Sequence, residues 1–500
     1  MTQTLILGPP GTGKTFACME IIEKELESGV RPDKILFTTF SKKGANEGLI
    51  RACEKFNFNR NQLPYFRTLH SLAFQELHTS REDMMSFQDY KKIGSALGLD
   101  FGYVDLSEGQ PVPTNNKGDQ MNYTLSVAKA RMVSIEEQFK DSDFEFEWFE
   151  FKRFIDTLEE YKSNRGLLDF SDLITQYIET KKSLNIDVAI IDEAQDLTKQ
   201  QWVMVRQAMK NAQRVYIAGD DDQSLFRWAG ADVDEFLSLE GQKQVLQKSY
   251  RLPVSVFQLA NGITGMISKR YDKKWEPRDD IGSVDFVNSL DDIDIREGSN
   301  LFLARNKYLL KRYEEFLQRE GMPYLTSRGS SINSDAIRAI KIWESLRKGD
   351  SVDVELIRLV YENFEVGKGV KRGFKLLKGA SGKLTIDELV RDWGLLTKSI
   401  WHDALTKLDN IPYYLAVLRR GEKLDKEPRI HISTIHAVKG GEADNVVILS
   451  DLSWKTFTSF RDNPDDEHRV FYVGVTRARK TLQIVSPQTS IFYDFPAIKK

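Results

Sequence analysis

Short apolar runs alternate with stretches whose hydrophobic positions recur every three to four residues, the pattern of parallel strands joined by helices. Candidate strands in the first half are Thr4–Leu7, Ile35–Thr39, Val188–Ile191 and Val215–Ala218. A second set comprises Val284–Val287, Leu301–Ala304, Ile430–Thr434, Val446–Leu449 and Thr481–Val485. Two parallel sheets are therefore predicted, with the change of sheet near Gln247–Pro253, in LQKSYRLP. Each sheet is interrupted. His78–Tyr161 combines helical periodicity with a polar loop, EGQPVPTNNKGDQ, and Arg328–Pro428 is mostly helical with a glycine-rich basic run, VGKGVKRGFKLLKGASGK. The predicted architecture is α/β. A first parallel-sheet domain (1–77 and 162–249) carries a mainly helical insertion (78–161), and a second (250–327 and 429–500) carries another (328–428).

At 500 residues the chain is too long for one small binding module. Lys+Arg 71 against Asp+Glu 74 leaves a formal charge of -3, so no basic field covers the surface and any polyanion must be held in a local groove. Two cysteines and six scattered histidines match no disulfide framework and no metal-ligand spacing, which points to a reducing compartment. The opening MTQTLILGPPG has no positive n-region and only a short apolar run, and no stretch approaches the length of a membrane span. A cytoplasmic location without membrane association is expected.

Gly8 to Thr15, GPPGTGKT, is a complete Walker A loop between the strand TLIL and a helix with Phe16, Met19, Ile22 and Leu26 at helical spacing. Gly8, Pro9, Pro10, Gly11, Thr12 and Gly13 form the turn whose backbone N–H groups approach phosphate oxygens at a helix N-terminus. Lys14 then reaches the β- and γ-phosphates and the Thr15 hydroxyl is placed to ligate Mg²⁺. The run VAIIDEAQD ends an apolar strand with Asp192 and Glu193, where hydrolysis needs a Mg²⁺ carboxylate and a water-activating carboxylate.

Four further segments follow in order: IAGDDDQSLFRWAGAD, LQKSYRLP, ISTIHAVKGGEAD and RVFYVGVTRARKTL. Together with ILFTTFSKKGA, TLHSLA and GLLDFSDLI they make the chain, from residue 1 to about 486, resemble the UvrD/PcrA/Rep-like branch of superfamily 1 helicases. The resemblance implies two RecA-like domains. It implies that Gln195 and Gln223 sense the γ-phosphate and couple it to DNA, that Tyr250 stacks on adenine, that Arg251 and Arg477 contact the γ-phosphate, and that Glu442 binds the ribose. Phe40 and Trp228 match positions that stack on bases, while Thr68 and His70 match positions near the DNA backbone. Phe226 fits core packing as well as DNA contact. His436 fits a role near DNA or at the coupling interface, and equally a hydrogen-bonded structural one. In the second insertion, Gly367-Lys368-Gly369 resembles a duplex-contacting glycine motif, and Lys371 and Arg372 beside it suit either a phosphate-binding loop or a solvated basic one.

The function implied is an ATP- and Mg²⁺-dependent DNA helicase and translocase serving repair, recombination or replication. It would move 3′ to 5′ on single-stranded DNA, act at single/double-strand junctions, and accept a protein partner that stimulates unwinding. The competing reading is a nucleotide-gated DNA-binding subunit of a larger repair or defence complex that does not unwind alone. A small-molecule P-loop kinase is excluded, since it has no use for the paired arginines and the single-strand motifs.

Overall fold

The computed structural model describes residues 2–102, 116–295 and 297–497. Glu108–Asn115, most of the predicted polar loop, lies outside the described residues. The chain forms two compact units: 1–281 with 459–476 and 496–500, and 282–458 with 477–495.

The first unit is built on five parallel strands, β1 (Thr2–Leu7), β2 (Ile35–Thr39), β3 (Val188–Asp192), β4 (Arg214–Gly219) and β5 (Gln242–Val245), in the order β2-β3-β4-β1-β5. Successive strand residues face opposite layers. Leu5, Leu7, Ala189 and Ile191 pack with Leu173, Trp202 and Val205 on one side. Ile6, Phe37, Val188 and Ile190 pack with Cys18, Met19 and Ile22 on the other. Burial on both faces explains why β2 and β3 and the carboxyl-terminal halves of β1 and β4 read as apolar runs. Each fully buried Ile or Leu contributes about 1.5–3 kcal/mol, enough for this sandwich to fix the strand ends that carry the chemistry.

Helices Phe87–Leu97, Lys117–Arg131, Ile135–Lys140 and Trp148–Arg165 hold a core of their own, including Tyr90, Ile93, Met121, Leu125, Phe151 and Phe154. They are tied to the sheet domain by charge. Lys162, whose side chain is 4% exposed, donates to Glu159, Asp169 and Asp172 at 2.9, 3.0 and 2.7 Å. Lys129 adds a bond of 2.9 Å to Asp172. Asp169 and Asp172 begin the helix Phe170–Glu179, which lies in the sheet domain's core.

The second unit has seven strands, β6 (Ser283–Val287), β7 (Asn300–Ala304), β8 (Tyr324–Thr326), β9 (Gly329–Ser330), β12 (Ile430–Thr434), β13 (Ala443–Leu449) and β14 (Ala478–Val485), in the order β6-β14-β13-β7-β12-β8-β9. All neighbours are parallel except the hairpin β8–β9. A separate antiparallel pair joins β10 (Val352–Asp353) to β11 (Lys383–Leu384). The helices between Ser334 and Arg419 share one hydrophobic core with this sheet, running from Phe302 and Val447 through Trp343 to Phe364.

Two segments fall on the other side of the division expected from sequence. Residues 250–281 and the helix Pro464–Val475 belong to the first unit. The Asp465 carboxylate accepts the backbone N–H groups of Ser268 and Lys269 and the Ser268 hydroxyl at 2.8–3.0 Å. Buried Arg469 donates to the carbonyls of Asp221 and Lys269. Polar anchoring of this kind leaves no mark in hydrophobic periodicity.

Candidate nucleotide and nucleic-acid site

The phosphate loop leaves the carboxyl end of β1, where Gly8 N–H donates to the Gly219 carbonyl at 3.0 Å. Gly11 and Gly13 are left-handed at φ 72° and 81°, which a side chain rarely tolerates. At Gly11 a Cβ would also come 2.3 Å from that of Arg251. Gly13 caps the helix Lys14–Glu27, so its N-terminal amides open into the loop. Lys14 curls back over the loop, its Nζ donating to the Gly8 carbonyl at 3.0 Å and lying 3.8 Å from Glu193 Oε1.

Thr15 and Asp192, far apart in sequence, meet where β3 lies close to this helix: the Thr15 hydroxyl donates to Asp192 Oδ2 at 2.9 Å. Burial, then the charge of Glu193, pushes the Asp192 carboxyl up to about 6. Among the described residues no group of three or more His, Cys, Asp or Glu could hold a metal. A hydroxyl and one carboxylate suit Mg²⁺, a hard cation that takes few protein oxygens and completes its shell with phosphate and water. Glu193 adopts φ 52°, a left-handed conformation costing a non-glycine residue about 1–3 kcal/mol. Its Oε2 accepts from Gln195 Nε2 at 2.6 Å.

Gln195 is fully buried and bridges two strand ends, its Oε1 accepting the Asp220 N–H at 3.0 Å beyond β4. Only glycine fits beneath it, because a Cβ on Gly219 would sit 2.7 Å from that Oε1. Gln223 donates through Nε2 to Asp220 Oδ2 at 2.6 Å. The two glutamines singled out from sequence are thus held by one aspartate that is not, although it stands in the quoted run IAGDDDQ.

The segment Ser249–Arg251 lies against the loop within the first unit. Tyr250 N–H donates to the Gly11 carbonyl at 2.8 Å and the Ser249 hydroxyl to the Pro10 carbonyl at 2.8 Å. The Tyr250 ring stays 73% exposed, open to a flat ligand, and Arg251 Nη1 lies 3.5 Å from the Thr476 carbonyl. Thr12 closes the loop by donating to the Pro9 carbonyl at 2.7 Å.

From this site a row of rings runs along the same unit. Phe40 stacks on Phe226 at 5.4 Å, and Phe226 meets Trp228 edge-on at 6.3 Å. Tyr123 stacks behind Trp228 at 6.1 Å and donates its hydroxyl to the Trp228 carbonyl at 2.8 Å. Trp228 remains 42% exposed. Half-buried Phe226 links the two base-stacking candidates and so serves both packing and the row. Tyr123 belongs to the first insertion and carries no sequence signal. Thr68 caps the helix Leu69–Glu76, its hydroxyl accepting the Ser71 N–H at 3.3 Å. His70 packs edge-on against Phe170, and burial holds its imidazole down to about 4 against the pull of Asp169, so it is neutral near pH 7.

In the second unit Arg477 is buried and donates to the Gly441 carbonyl at 3.1 Å, whereas its neighbours Arg479 and Lys480 are exposed and pair with Glu442 and Asp444 at 3.3 and 3.1 Å. A merely solvated basic run does not describe Arg477. His436 is held down to about 3 by burial, then by Arg305 and Lys439, and is likewise neutral. Lys371 and Arg372 are exposed on a loop between left-handed Gly367 and Gly373. Lys368 pairs with Glu365 just outside the acid-free run, at 3.0 Å.

Comparison with known proteins agrees with this geometry. The family profile of the UvrD/REP helicase N-terminal domain matches residues 1–244, and that of the UvrD-like helicase C-terminal domain matches residues 397–489. A probable DNA helicase II homolog of Rickettsia conorii is 23% identical, over 98% of this chain and 91% of its own. The ATP-dependent DNA helicase PcrA of Bacillus subtilis is 22% identical over 96% of this chain and 80% of its own. The ATP-dependent DNA helicase Rep of Buchnera aphidicola subsp. Baizongia pistaciae is 24% identical over 64% of this chain and 52% of its own. With a phosphate loop, its acidic partners and the ring row in one unit, and both profiles matched in order, the chain belongs to the UvrD/REP-like helicase family.

Proposed function

We propose that the protein is an ATP-dependent DNA helicase that hydrolyses ATP with Mg²⁺, moves along single-stranded DNA and opens single/double-strand junctions. The observation that carries this is the continuous chain of contacts in the first unit. Gln195 touches both Glu193 and Asp220, Asp220 holds Gln223, and the same loop continues into Phe226 and Trp228. Chemistry at the phosphate loop and stacking on bases share one short segment. The relatives named as ATP-dependent DNA helicases support the same reading.

In this proposal Lys14 and the loop amides hold the β- and γ-phosphates. Thr15 and Asp192 hold Mg²⁺, which supplies charge neutralisation at the phosphoryl oxygens. Glu193 orients water and accepts its proton. Tyr250 stacks on the base, Glu442 takes the ribose, and Arg251 and Arg477 stabilise charge developing on the transferred group. Movement from 3′ to 5′ is the direction the family resemblance favours. Turnover strongly stimulated by single-stranded DNA, together with displacement of a strand from a tailed duplex, is the expected result. Stimulation without displacement, even at saturating enzyme, would favour the subunit of a larger complex.

Trp228→Ala is expected to weaken single-strand affinity by about 1–3 kcal/mol and to leave the salt slope nearly unchanged, because stacking releases no counterions. Titration across a salt series measures both. Neutralising Lys371 and Arg372 together should do the reverse on a tailed duplex, lowering the log–log salt slope by roughly 0.9 for each phosphate no longer neutralised while sparing a plain single strand. An unaltered duplex slope would mark the run as solvated only.

A further inference from the structure

Behind Asp220, which holds Gln223, the first unit buries further charges to which the proposed chemistry assigns no role. The Lys273 side chain is 0% exposed, and its ammonium lies 2.6 Å from Asp220 Oδ1, 2.6 Å from Asp221 Oδ1 and 2.8 Å from Asp222 Oδ2. Arg270 makes a two-pronged pair with Asp222 at 2.8 and 2.7 Å. Arg469, from the helix Pro464–Val475, donates to the Asp221 carbonyl at 2.9 Å. Burying an ion costs several kcal/mol even when it is paired, and well-packed apolar residues often serve stability as well or better. Core stability alone is thus a poor account of a lysine placed among three aspartates.

The partners are unequal. Asp222 is occupied with Arg270 and Lys273. Asp220 faces both ways. Its Oδ1 accepts from Lys273, while its Oδ2 accepts from Gln223 and its backbone N–H donates to Gln195. Without the Lys273 ammonium on Oδ1, nothing on that side fixes the rotation of the Asp220 carboxylate, and a turn toward another donor would release the Gln223 amide from Oδ2.

We infer that Lys273 is a positioning residue for nucleotide hydrolysis, acting through Asp220 to keep Gln223 and Gln195 in one orientation at the carboxyl ends of β3 and β4. This rests on the proposed ATPase activity. Because Gln223 also begins the segment that carries Phe226 and Trp228, the same ammonium stabilises the link between turnover and the single strand.

The test compares Lys273→Met with Asp222→Asn in the full chain, measuring kcat and KM for ATP with and without single-stranded DNA, nucleotide affinity, and thermal midpoint. Misplacement of a catalytic constellation costs on the order of 10²-fold in rate, so Lys273→Met is expected to lose about that much kcat with KM and nucleotide affinity near those of the parent. Asp222→Asn removes a charge from the same group without touching a glutamine. It should lower the thermal midpoint and keep kcat. Equal loss of turnover in the two variants, loss of nucleotide affinity in step with turnover, or full turnover in a folded Lys273→Met would each overturn the inference. If Lys273→Met does not fold, Lys273→Met combined with Asp221→Asn restores one charge of the balance. Turnover should stay low in it, and parental turnover there would assign the lysine to charge balance alone. Absence of ATPase in the parent protein would instead sink the underlying reading.

Discussion

Replacing Lys14 with alanine is expected to lower ATP hydrolysis at least about 10²-fold, the scale of losing one preorganised donor to developing charge. Single-strand affinity should stay close to that of the parent. The side chain closes over its own loop, its Nζ between the Gly8 carbonyl and Glu193, so its removal empties the space in front of the loop amides without disturbing the core. Glycine at position 8 is part of that arrangement, since a Cβ there would overlap the Lys14 chain at 1.9 Å. The rings proposed to stack on DNA bases, Phe40, Phe226 and Trp228, pack on one another in a row. Steady-state hydrolysis beside equilibrium binding separates the two effects, and undiminished turnover in the variant would remove the motor reading.

Lys162→Met is expected to destabilise the first unit by about 3–5 kcal/mol, the usual cost of leaving buried charge uncompensated. Lys129 remains beside the same carboxylates, so the lower end of that range is the better figure. Acid should modulate the effect in a definite direction. Burial pushes the Asp169 carboxyl up, but Lys129 and Lys162 outweigh it and hold it at about 2, below its ordinary value of 3.8. A depressed carboxylate contributes stability that is present above the unfolded value and lost as pH falls through the folded one. The contribution is therefore full above about pH 4 and disappears toward pH 2. Urea midpoints of parent and variant, compared at neutral pH and through this acid window, should converge as pH falls. A gap that persists unchanged to pH 2 would mean that Lys162 acts by packing rather than by charge.

The strands are legible in the sequence wherever both faces are buried. β2 and β3, the carboxyl-terminal halves of β1 and β4, β7 and β13 read as apolar runs, and the motifs at their carboxyl ends fall where the structure gathers Lys14, Thr15, Asp192, Glu193, Gln195 and Gln223. β5 is not legible, because Gln242, Lys243 and Gln244 are exposed and carry no apolar pattern. Residues 250–281 and 464–475, expected in the second domain, group with the first unit by their contacts, among them the Arg469 guanidinium on the Asp221 carbonyl, which periodicity does not reveal. Tyr123 and Lys273 share this difficulty. Tyr123 bonds to Trp228 and Lys273 to Asp220, Asp221 and Asp222, all more than 50 positions away in sequence, and a lone tyrosine or lysine has no spacing by which to be recognised.

The margins of the first sheet bear on how copies of this protein behave toward one another. Beyond β2, Phe37 N–H donates to the Tyr65 carbonyl and Arg67 N–H to the Phe37 carbonyl, so the segment around Phe66 covers that edge. At the other margin β5 is only four residues long, and Lys243 stands on it with its ammonium 4.2 Å from the Tyr271 ring. A strand from another molecule would meet a covered edge on one side and a brief, cationic one on the other, the arrangement that discourages edge-to-edge aggregation. Concentrated solutions of the first unit should accordingly resist sheet-mediated association until it unfolds.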